Sequence, residues 1–305
     1  MLNRRYKVKV LSLFDGISCG KVALERAGFK DFTYFASEID KDAIKISEHN
    51  HDDIIRIGDV CKVSYKDGVL HTEIGDFVVG KIDLLIGGSP CQSFSQAAAY
   101  SGNQTGLDGK SKLFFEYLRI LGEIKESNPN LKFLLENVKM KKDSKIELDD
   151  YLGVVGVYCN SELVSFQKRS RYYWTNWTWD IPKDKEISFQ DFKQQDGVFK
   201  TLNKDMKSYQ RMWNNGEGNN SQSSCANVTY ADKVYCLTTK QDRCPNSGLV
   251  EYGDFCRYLS QEELEMAQNL PIGYTSCVSY NKAAKALGNG WTVDVIAHIL
   301  KCAYN

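Results

Sequence analysis

The chain has 305 residues, of which 42% are hydrophobic, and its 39 basic side chains are balanced by 39 acidic ones. This length is sufficient for one large core and a smaller lobe, and no apolar run reaches the ~20 residues that a membrane span requires. The balanced charge excludes a general cationic surface, so any contact with nucleic acid has to use local patches. The ten cysteines include no Cys-x-x-Cys pair, which argues against a zinc site. We expect a cytoplasmic protein, or a nuclear one if the source is eukaryotic.

The first predicted strand, Val8–Phe14, leads into a turn that contains Asp15 and Gly16. A helical pattern from Lys21 to Ala27 follows, so this region is predicted to be a βα unit with a glycine-rich turn. Such a turn lets backbone amides approach a ligand. Its spacing is not that of the dinucleotide-binding fingerprint, so the turn alone is weak evidence for a nucleotide.

Acidic residues follow the next two predicted strands. The strand Phe32–Ser37 ends at Glu38, which lies 22 residues after Gly16, in the place where an acidic side chain binds ribose hydroxyls in dinucleotide-binding folds. The strand Asp53–Ile57 leads to Asp59, whose carboxylate could accept a hydrogen bond from an adenine amino group. These strand ends together indicate a cofactor that contains adenosine.

The most informative segment is a short apolar stretch, residues 81–86, that breaks into Gly-Gly-Ser-Pro and then Cys91. In open α/β sheets ligands bind outside the carboxyl ends of the strands, so a thiol at this position is our candidate nucleophile. The polar segment Gln92–Lys112 contains several glycines and is predicted to be a mobile lid over the site.

A third acidic residue, Glu136, follows the predicted strand Lys132–Leu135, which a helical segment, Leu113–Leu121, precedes. Arg169 and Arg171 occupy alternate positions of a later extended segment. Side chains two residues apart point to the same face of a strand, so both arginines are expected to enter one pocket.

Beyond about residue 180 the pattern changes to polar runs and short strands, which indicates a smaller lobe. Two predicted strands in it, Val234–Thr239 and Gly248–Val250, flank a basic, polar run. We predict two domains, the larger formed by residues 1–179 and 279–305 and the smaller by residues 180–278.

Seven segments in this order resemble the motifs of the DNA (cytosine-5) methyltransferases: FDGISCG, SEID, GDV, GGSPCQSFS, ENV, QKRSR and ALGNGW. The resemblance covers nearly the whole chain. The residues of the motifs are most similar to those of the animal de novo enzymes and their phage or bacterial relatives, and we favour a phage or bacterial origin. It implies the doubly wound, mixed α/β sheet of S-adenosylmethionine-dependent methyltransferases, which is Rossmann-like, with a small target-recognition lobe.

The resemblance also implies a mechanism. The Cys91 thiolate would add to carbon 6 of cytosine, which makes carbon 5 able to take the methyl group of S-adenosylmethionine. Arg169 or Arg171 would stabilise the thiolate and hold the carbonyl oxygen of the base, while a protonated Glu136 would bond the ring nitrogen. The target base would be flipped out of double-stranded DNA, because it cannot be reached inside the duplex.

Binding residues are carried over from the same motifs. The predicted cofactor contacts are Phe14, Asp15, Gly16, Ile17, Glu38, Ile39, Asp59, Val60, Pro90, Asn289 and Trp291. The predicted DNA contacts are Gln92, Ser93, Thr239, Lys240 and Arg243. The chain departs from the family pattern at Ser18 and Cys19, where most relatives have two glycines, and at Trp291, where a smaller residue is commoner. We expect a monomer, although a dimer is compatible with the sequence, and a role in DNA methylation such as restriction-modification.

Three alternatives remain open at this point. A transfer-RNA cytosine-5 methyltransferase would share Cys91 and Glu136, but the Cys-Phe-Thr run of its close relatives is absent. A catalytically silent DNA-binding module is disfavoured because Cys91, Glu136 and Arg171 are all present. A nicotinamide oxidoreductase would explain the first βα unit but not the Pro-Cys-Gln and Glu-Asn-Val segments.

Overall fold

The computed structural model describes residues 7–90, 112–203, 205, 227–242 and 246–304. Its largest element is a seven-stranded sheet in the order β3-β2-β1-β7-β8-β10-β9. The strands of this sheet are β1 (Val8–Leu13), β2 (Phe32–Ser37), β3 (Ile54–Gly58), β7 (Leu84–Gly87), β8 (Lys132–Val138), β9 (Val157–Asn160) and β10 (Ser170–Thr175). The smaller strands are β4 (Ser64–Lys66), β5 (Val69–Thr72), β6 (Gly75–Val78), β11 (Thr201–Asn203), β12 (Leu249–Tyr252) and β13 (Phe255–Tyr258).

The large sheet is mixed, as the resemblance implies. Strands β1, β2, β3, β7 and β8 pair in parallel, whereas β10 pairs antiparallel with both β8 and β9. From β1 the chain winds outward to β2 and β3 and then returns to place β7 on the other side of β1. This reversal creates a switch point between β1 and β7, and ligands of open α/β sheets bind outside the strand ends at such a point.

Side chains alternate between two apolar clusters, one on each face of the sheet. In β1, Val10 belongs to one cluster and Leu11 to the other, and in β8 the neighbours Leu134 and Leu135 divide in the same way. The alternation follows from the two-residue period of a strand, and it shows that both faces are covered by helices. The helices are α1 (Cys19–Ala27), α2 (Lys41–Asn50), α3 (Lys112–Ser127), α4 (Lys142–Leu152), α5 (Gln261–Ala267), α6 (Tyr280–Asn289) and α7 (Val293–Lys301).

Local capping explains where several helices begin and end. The Asp40 carboxylate accepts from two backbone amides in the first turn of α2, and α1 ends at Gly28 with a φ of 98°. The spacing of Ser260 and Glu263 predicts a capping box, and the box is present at the start of α5. The last helix, Val293–Lys301, has the bounds that its periodicity predicts.

Two segments differ from the sequence-based prediction, one in the small lobe and one in the larger predicted domain. The predicted strand Val234–Thr239 is wrong: Val234 makes one isolated bridge with Gln167, and the Leu237 amide donates to the Gln167 side chain at 2.9 Å. Because a side chain takes the place of a strand partner, no ladder forms there. The prediction also missed the antiparallel meander β4-β5-β6, whose three strands have only three or four residues each.

The apolar core crosses the predicted domain boundary. Val234 and Leu237 belong to the same cluster as Ile296 of α7 and Val10 of β1. The small sheet β11-β13-β12 has its own cluster around Leu249, and the division into two domains stays a prediction. Of the helices in the part of the chain that the structure describes, none is both long and apolar enough to cross a membrane.

Candidate active site

A cleft of about 500 Å³ opens at the edge of the large sheet where its parallel strands end. Eleven of the predicted site residues lie in its wall: Phe14, Gly16, Glu38, Ile39, Asp59, Val60, Pro90, Glu136, Arg169, Arg171 and Asn289. Most of them follow parallel strands, which present their carboxyl ends at one edge. Arg169 and Arg171 come from the amino end of the antiparallel β10, and Asn289 comes from the end of α6. Cys91, Gln92, Ser93 and Arg243 lie outside the described residues, as does most of the predicted lid; its last residue, Lys112, begins α3.

Glu38 joins the end of β2 to the turn after β1. One oxygen of its carboxylate accepts from the Gly16 amide at 2.7 Å, and the other accepts from the Ile39 and Asp40 amides at 2.8 Å. Gly16 has a φ of 59°, a left-handed conformation that glycine adopts without strain. The carboxylate therefore fixes the turn while it lines the cleft.

The end of β3 places Asp59 in the wall of the same cleft. One carboxylate oxygen of Asp59 accepts from the Cys61 amide at 2.9 Å and so caps a short helical turn. Ile39, which follows Glu38, is 68% exposed and gives the cleft an apolar surface beside these acidic groups. The arrangement can hold a ligand that has both hydroxyl or amino groups and a flat apolar part.

Two of the predicted cofactor contacts point away from the cleft. The buried Asp15 carboxylate accepts from Ser12 Oγ at 2.7 Å and from the Tyr34 hydroxyl at 2.6 Å, and Arg56 lies 3.3 Å from it. Burial, followed by the Asp15 charge, raises the pKa of the Tyr34 hydroxyl well above its ordinary value. The Ile17 side chain lies in the apolar core. The side chains of Asp15 and Ile17 thus support the turn from behind.

Glu136 lies near the carboxyl end of β8 and is held by two side chains. Arg171 Nε forms an ion pair with its Oε1 at 2.8 Å, and Trp291 Nε1 donates a hydrogen bond to its Oε2 at 3.0 Å. The antiparallel register sets Arg171 opposite Val138, two residues from Glu136, so that the amino end of β10 meets the cleft edge. Glu136 is 8% exposed, so these bonds are largely shielded from water.

Arg169 lines the cleft, but its guanidinium group is bound to backbone carbonyls. Its Nη2 donates to the Gly288 and Gly290 carbonyls at 3.1 and 2.8 Å, and Nη1 donates to the Leu237 carbonyl at 3.3 Å and to Cys236 Sγ at 3.4 Å. Arg169 therefore ties the end of α6 to the loop around Leu237. Of the two predicted arginines, Arg171 is the one bonded to Glu136.

Cys236 is a thiol beside the cleft that sequence reasoning missed. Burial by itself would raise the pKa of this thiol, but the positive charges of Arg169 and Arg171 outweigh burial and lower the pKa from its ordinary value. Nothing in the local sequence distinguishes Cys236 from a core cysteine, because its two partners are about 65 residues away.

Thr239 and Lys240 are exposed and lie next to the cleft rather than in its wall. The carbonyl of Thr238 packs against Gly288, where a Cβ atom would come within 2.5 Å of it. The following residue, Gln241, is buried, and its side chain binds the Thr238 carbonyl and Ser247. The turn is thus anchored from inside and leaves Lys240 free to face solvent.

Ion pairs between α2 and α6 close one side of the cleft, and sequence reasoning missed them as well. Lys285 binds Asp40 at 2.5 Å and Lys282 binds Asp42 at 2.7 Å. The Lys285 ammonium group lowers the pKa of Asp40. Each pair joins residues about 240 positions apart, so no local pattern could indicate it.

Comparison with known proteins gives a consistent family. Residues 8–153 match the family model described as C-5 cytosine-specific DNA methylase. The orphan methyltransferase M.SPRI of Bacillus phage SPR is 32% identical over 248 residues, which cover 76% of this chain and 52% of the phage protein. The type II methyltransferase M1.ScrFI of Lactococcus lactis subsp. cremoris is 41% identical over 137 residues, covering 45% of this chain and 30% of the bacterial protein. The chain thus spans about half the length of the phage relative and less of the bacterial one.

The fold is shared with solved structures over nearly their whole length. A methyltransferase of Entamoeba histolytica, EhMeth, superposes with a TM-score of 0.72 at 15% identity, and the match covers 98% of both chains. The Dnmt2 methyltransferase of S. pombe gives a TM-score of 0.70 at 17% identity, covering 97% of this chain and 98% of that one. At these identities the likeness establishes the fold.

Proposed function

We propose that this chain, whose residues 8–153 match the C-5 cytosine-specific DNA methylases, methylates carbon 5 of cytosine in DNA with S-adenosylmethionine as methyl donor. The observation that carries the proposal is the shared cleft edge, where Glu136 and Arg171 stand beside Glu38 and Asp59. Glu136 and Arg171 suit a base, whereas Glu38 and Asp59 suit an adenosine. The base and the cofactor have to lie side by side for methyl transfer.

The cleft fits S-adenosylmethionine in size and in chemistry. Its volume of about 500 Å³ lies in the range of cofactor sites. Glu38 would accept from the ribose hydroxyls, Asp59 from the adenine amino group, and Ile39 would cover the face of the ring. Phe14, Gly16, Val60, Pro90 and Asn289 complete the proposed set. When bound, the cofactor supplies the methyl group.

The base-binding half follows from Glu136 and Arg171. In the proposed reaction the Cys91 thiolate bonds to carbon 6 of the flipped-out cytosine, while the ring nitrogen takes a proton from Glu136. The electron pair thus placed on carbon 5 would form the bond to the methyl group as the methyl–sulfur bond of S-adenosylmethionine breaks, leaving S-adenosylhomocysteine. A base, or water, then removes the carbon 5 proton, the thiolate leaves carbon 6, and the ring nitrogen returns its proton to Glu136. Arg171 would hold the carbonyl oxygen of the base, and Arg169, bound to four protein atoms, would fix the cleft wall.

Contacts with the duplex are proposed for the exposed turn beside the cleft and for residues next to Cys91. Thr239, Lys240 and Arg243 would reach the groove or the backbone, and Gln92 and Ser93 would follow the nucleophile toward the base. M.SPRI is named an orphan methyltransferase and M1.ScrFI a type II methyltransferase. We infer a related role in phage or bacterial DNA modification for this chain.

Trapping of the nucleophile tests this proposal. The wild-type protein with S-adenosylmethionine is expected to form a covalent adduct, stable in denaturing gels, with duplex DNA that contains 5-fluorocytosine, because fluorine cannot leave as the carbon 5 proton does. Cys91→Ala should bind the cofactor in calorimetry but give no adduct. A second thiol serves as the matched control: Cys61→Ala should form the adduct at the wild-type rate. An adduct with Cys91→Ala would assign the nucleophile elsewhere.

The choice between nucleic acids needs a parallel assay. Labelled methyl groups are expected in duplex DNA and not in transfer RNA when the two are offered at equal cytosine concentration, and bisulfite sequencing of the DNA would give the methylated context. Transfer to RNA alone would favour the transfer-RNA alternative. Absence of both transfer and adduct would favour the silent DNA-binding module.

A further inference from the structure

Trp291 reaches Glu136 from a different part of the chain. Its indole Nε1 donates to Glu136 Oε2 at 3.0 Å across a sequence separation of 155 residues, and the indole is 9% exposed. Although Trp291 was predicted as a cofactor contact, its ring is not part of the cleft wall, which at this point is formed by Gly88 and Asn289. The indole therefore lies behind the site and contacts it through Glu136.

Two glycines make room for the ring. A Cβ atom on Gly88 would lie 2.7 Å from Trp291 Nε1 and 2.9 Å from Glu136 Oε2. A side chain at this position would therefore clash with both the donor and the acceptor of the hydrogen bond. A Cβ atom on Gly20 would lie 3.3 Å from the other end of the indole and closer still to Ile86 and Tyr34. The ring is thus clamped between α1 and the turn after β7, and its N–H is aimed at the carboxyl group.

The two side chains that hold Glu136 contact different oxygens of its carboxyl group. Arg171 holds Oε1 and Trp291 holds Oε2, so the plane of the carboxyl group is fixed rather than free to rotate about a single bond. Under the proposed function Glu136 has to meet a ring nitrogen whose charge develops only as the base reacts. An interaction that strengthens in the transition state changes kcat more than it changes substrate binding, and it depends on exact placement of the group.

We propose that Trp291 is a positioning residue, whose indole N–H sets the orientation of Glu136 for methyl transfer. This inference rests on the proposed function, and it assigns to the tryptophan a role in the base half of the site rather than the cofactor half.

Trp291→Phe tests the proposal because phenylalanine keeps an aromatic ring in the clamp and removes the N–H. Because Glu136 becomes negatively charged as its proton passes to the ring nitrogen, loss of the indole N–H bond to it predicts a decrease of about 10- to 100-fold in kcat. The dissociation constant for S-adenosylmethionine and the KM for DNA should stay within about twofold of wild type. Trp179→Phe is the matched control, since the buried Nε1 of Trp179 has no hydrogen-bond partner among the described residues, and its kcat should not change.

A double-mutant cycle separates positioning from packing. In a Glu136→Ala background, with single-turnover rates measured, Trp291→Phe should cause almost no further decrease. An equal decrease in both backgrounds would overturn the proposal, as would an unchanged kcat with weaker cofactor binding, which would make Trp291 a cofactor contact. If Trp291→Phe does not fold, benzothienylalanine at position 291 keeps the ring size without the N–H and should give the same loss of kcat. An inactive wild-type protein would refute the proposed function instead, so the two failures are distinguishable.

Discussion

Glu38 binds backbone amides on both sides of the cofactor half of the cleft. Because its carboxylate accepts from Gly16, Ile39 and Asp40, truncation would remove both the proposed ribose contact and the anchor of the turn. Glu38→Ala is therefore expected to weaken S-adenosylmethionine binding by about 1–3 kcal/mol, measured by calorimetry. Glu48→Ala, an exposed change on α2, should leave the affinity unchanged. Equal affinities of wild type and Glu38→Ala would remove Glu38 from the cofactor site.

Single site residues were predictable where their place in the fold depends on local sequence. Glu136 follows an apolar strand, and Arg169 and Arg171 alternate along another, so their arrival at one cleft could be expected. The partners of these side chains could not be predicted from the sequence. Arg169 is bound to carbonyls more than 60 residues away, and Glu136 to an indole 155 residues away, and only the packed chain sets such pairs.

Among the elements, those of the large sheet were the most predictable. Apolar runs that end in glycine or in an acidic residue located β1, β2, β3, β7 and β8 to within a few residues, because buried parallel strands need continuous apolar sequence. The small lobe was harder to predict. In the segment after Val234 a buried Gln167 side chain satisfies the backbone, so a strand-like composition gives irregular structure.

The contact between α7 and its surroundings depends on one carboxylate. Asp294, in the first turn of α7, binds Arg26 of α1 at 2.6 Å and Lys185 at 2.9 Å. Burial opposes ionisation of Asp294, but the bonds to Lys185 and Arg26 outweigh it and lower the pKa of the carboxyl group. Both cations are well exposed, so solvent screening limits the contribution to stability to about 1 kcal/mol, with help from the helix dipole.

Asp294→Asn is therefore expected to lower the free energy of unfolding by about 1 kcal/mol at pH 7, measured by urea denaturation. Since the folded-state pKa of Asp294 lies below its unfolded value, the stabilisation is complete above the unfolded pKa of about 3.9 and is lost as the pH falls through the folded pKa. The difference between variant and wild type should vanish in that acidic range. Asp150→Asn, at an exposed position of α4, is the control and should have no effect. A difference that persists at low pH would mean that the amide disturbs packing instead.

The molecule as a whole has zero net charge, so a polyanion such as DNA has to be bound by local groups of positive charge. Lys139 directly follows β8, which carries Glu136, and Lys168 comes just before β10, which carries Arg171. Both lysines are exposed and neither forms an ion pair with a described residue. Instead, their ammonium groups lie 5.5 Å and 5.9 Å from the ring centres of Tyr158 and Tyr235. Two positive charges without an ion-pair partner among the described residues thus lie next to residues of the cleft wall.

If duplex DNA is the substrate, these two lysines should bind phosphates on either side of the flipped base. Each phosphate contact contributes about −0.9 to the slope of log K against log salt concentration, so Lys139→Gln and Lys168→Gln should each reduce the magnitude of the slope by about that amount. The affinity should fall equally for all DNA sequences, because phosphates carry no base identity. Lys81→Gln is the matched control, since Lys81 is also exposed but precedes β7, at the opposite edge of the sheet from the cleft. A wild-type slope in both cleft-edge variants would show that the backbone is held elsewhere, and Lys240 of the turn beside Gly288 would then be the next residue to replace.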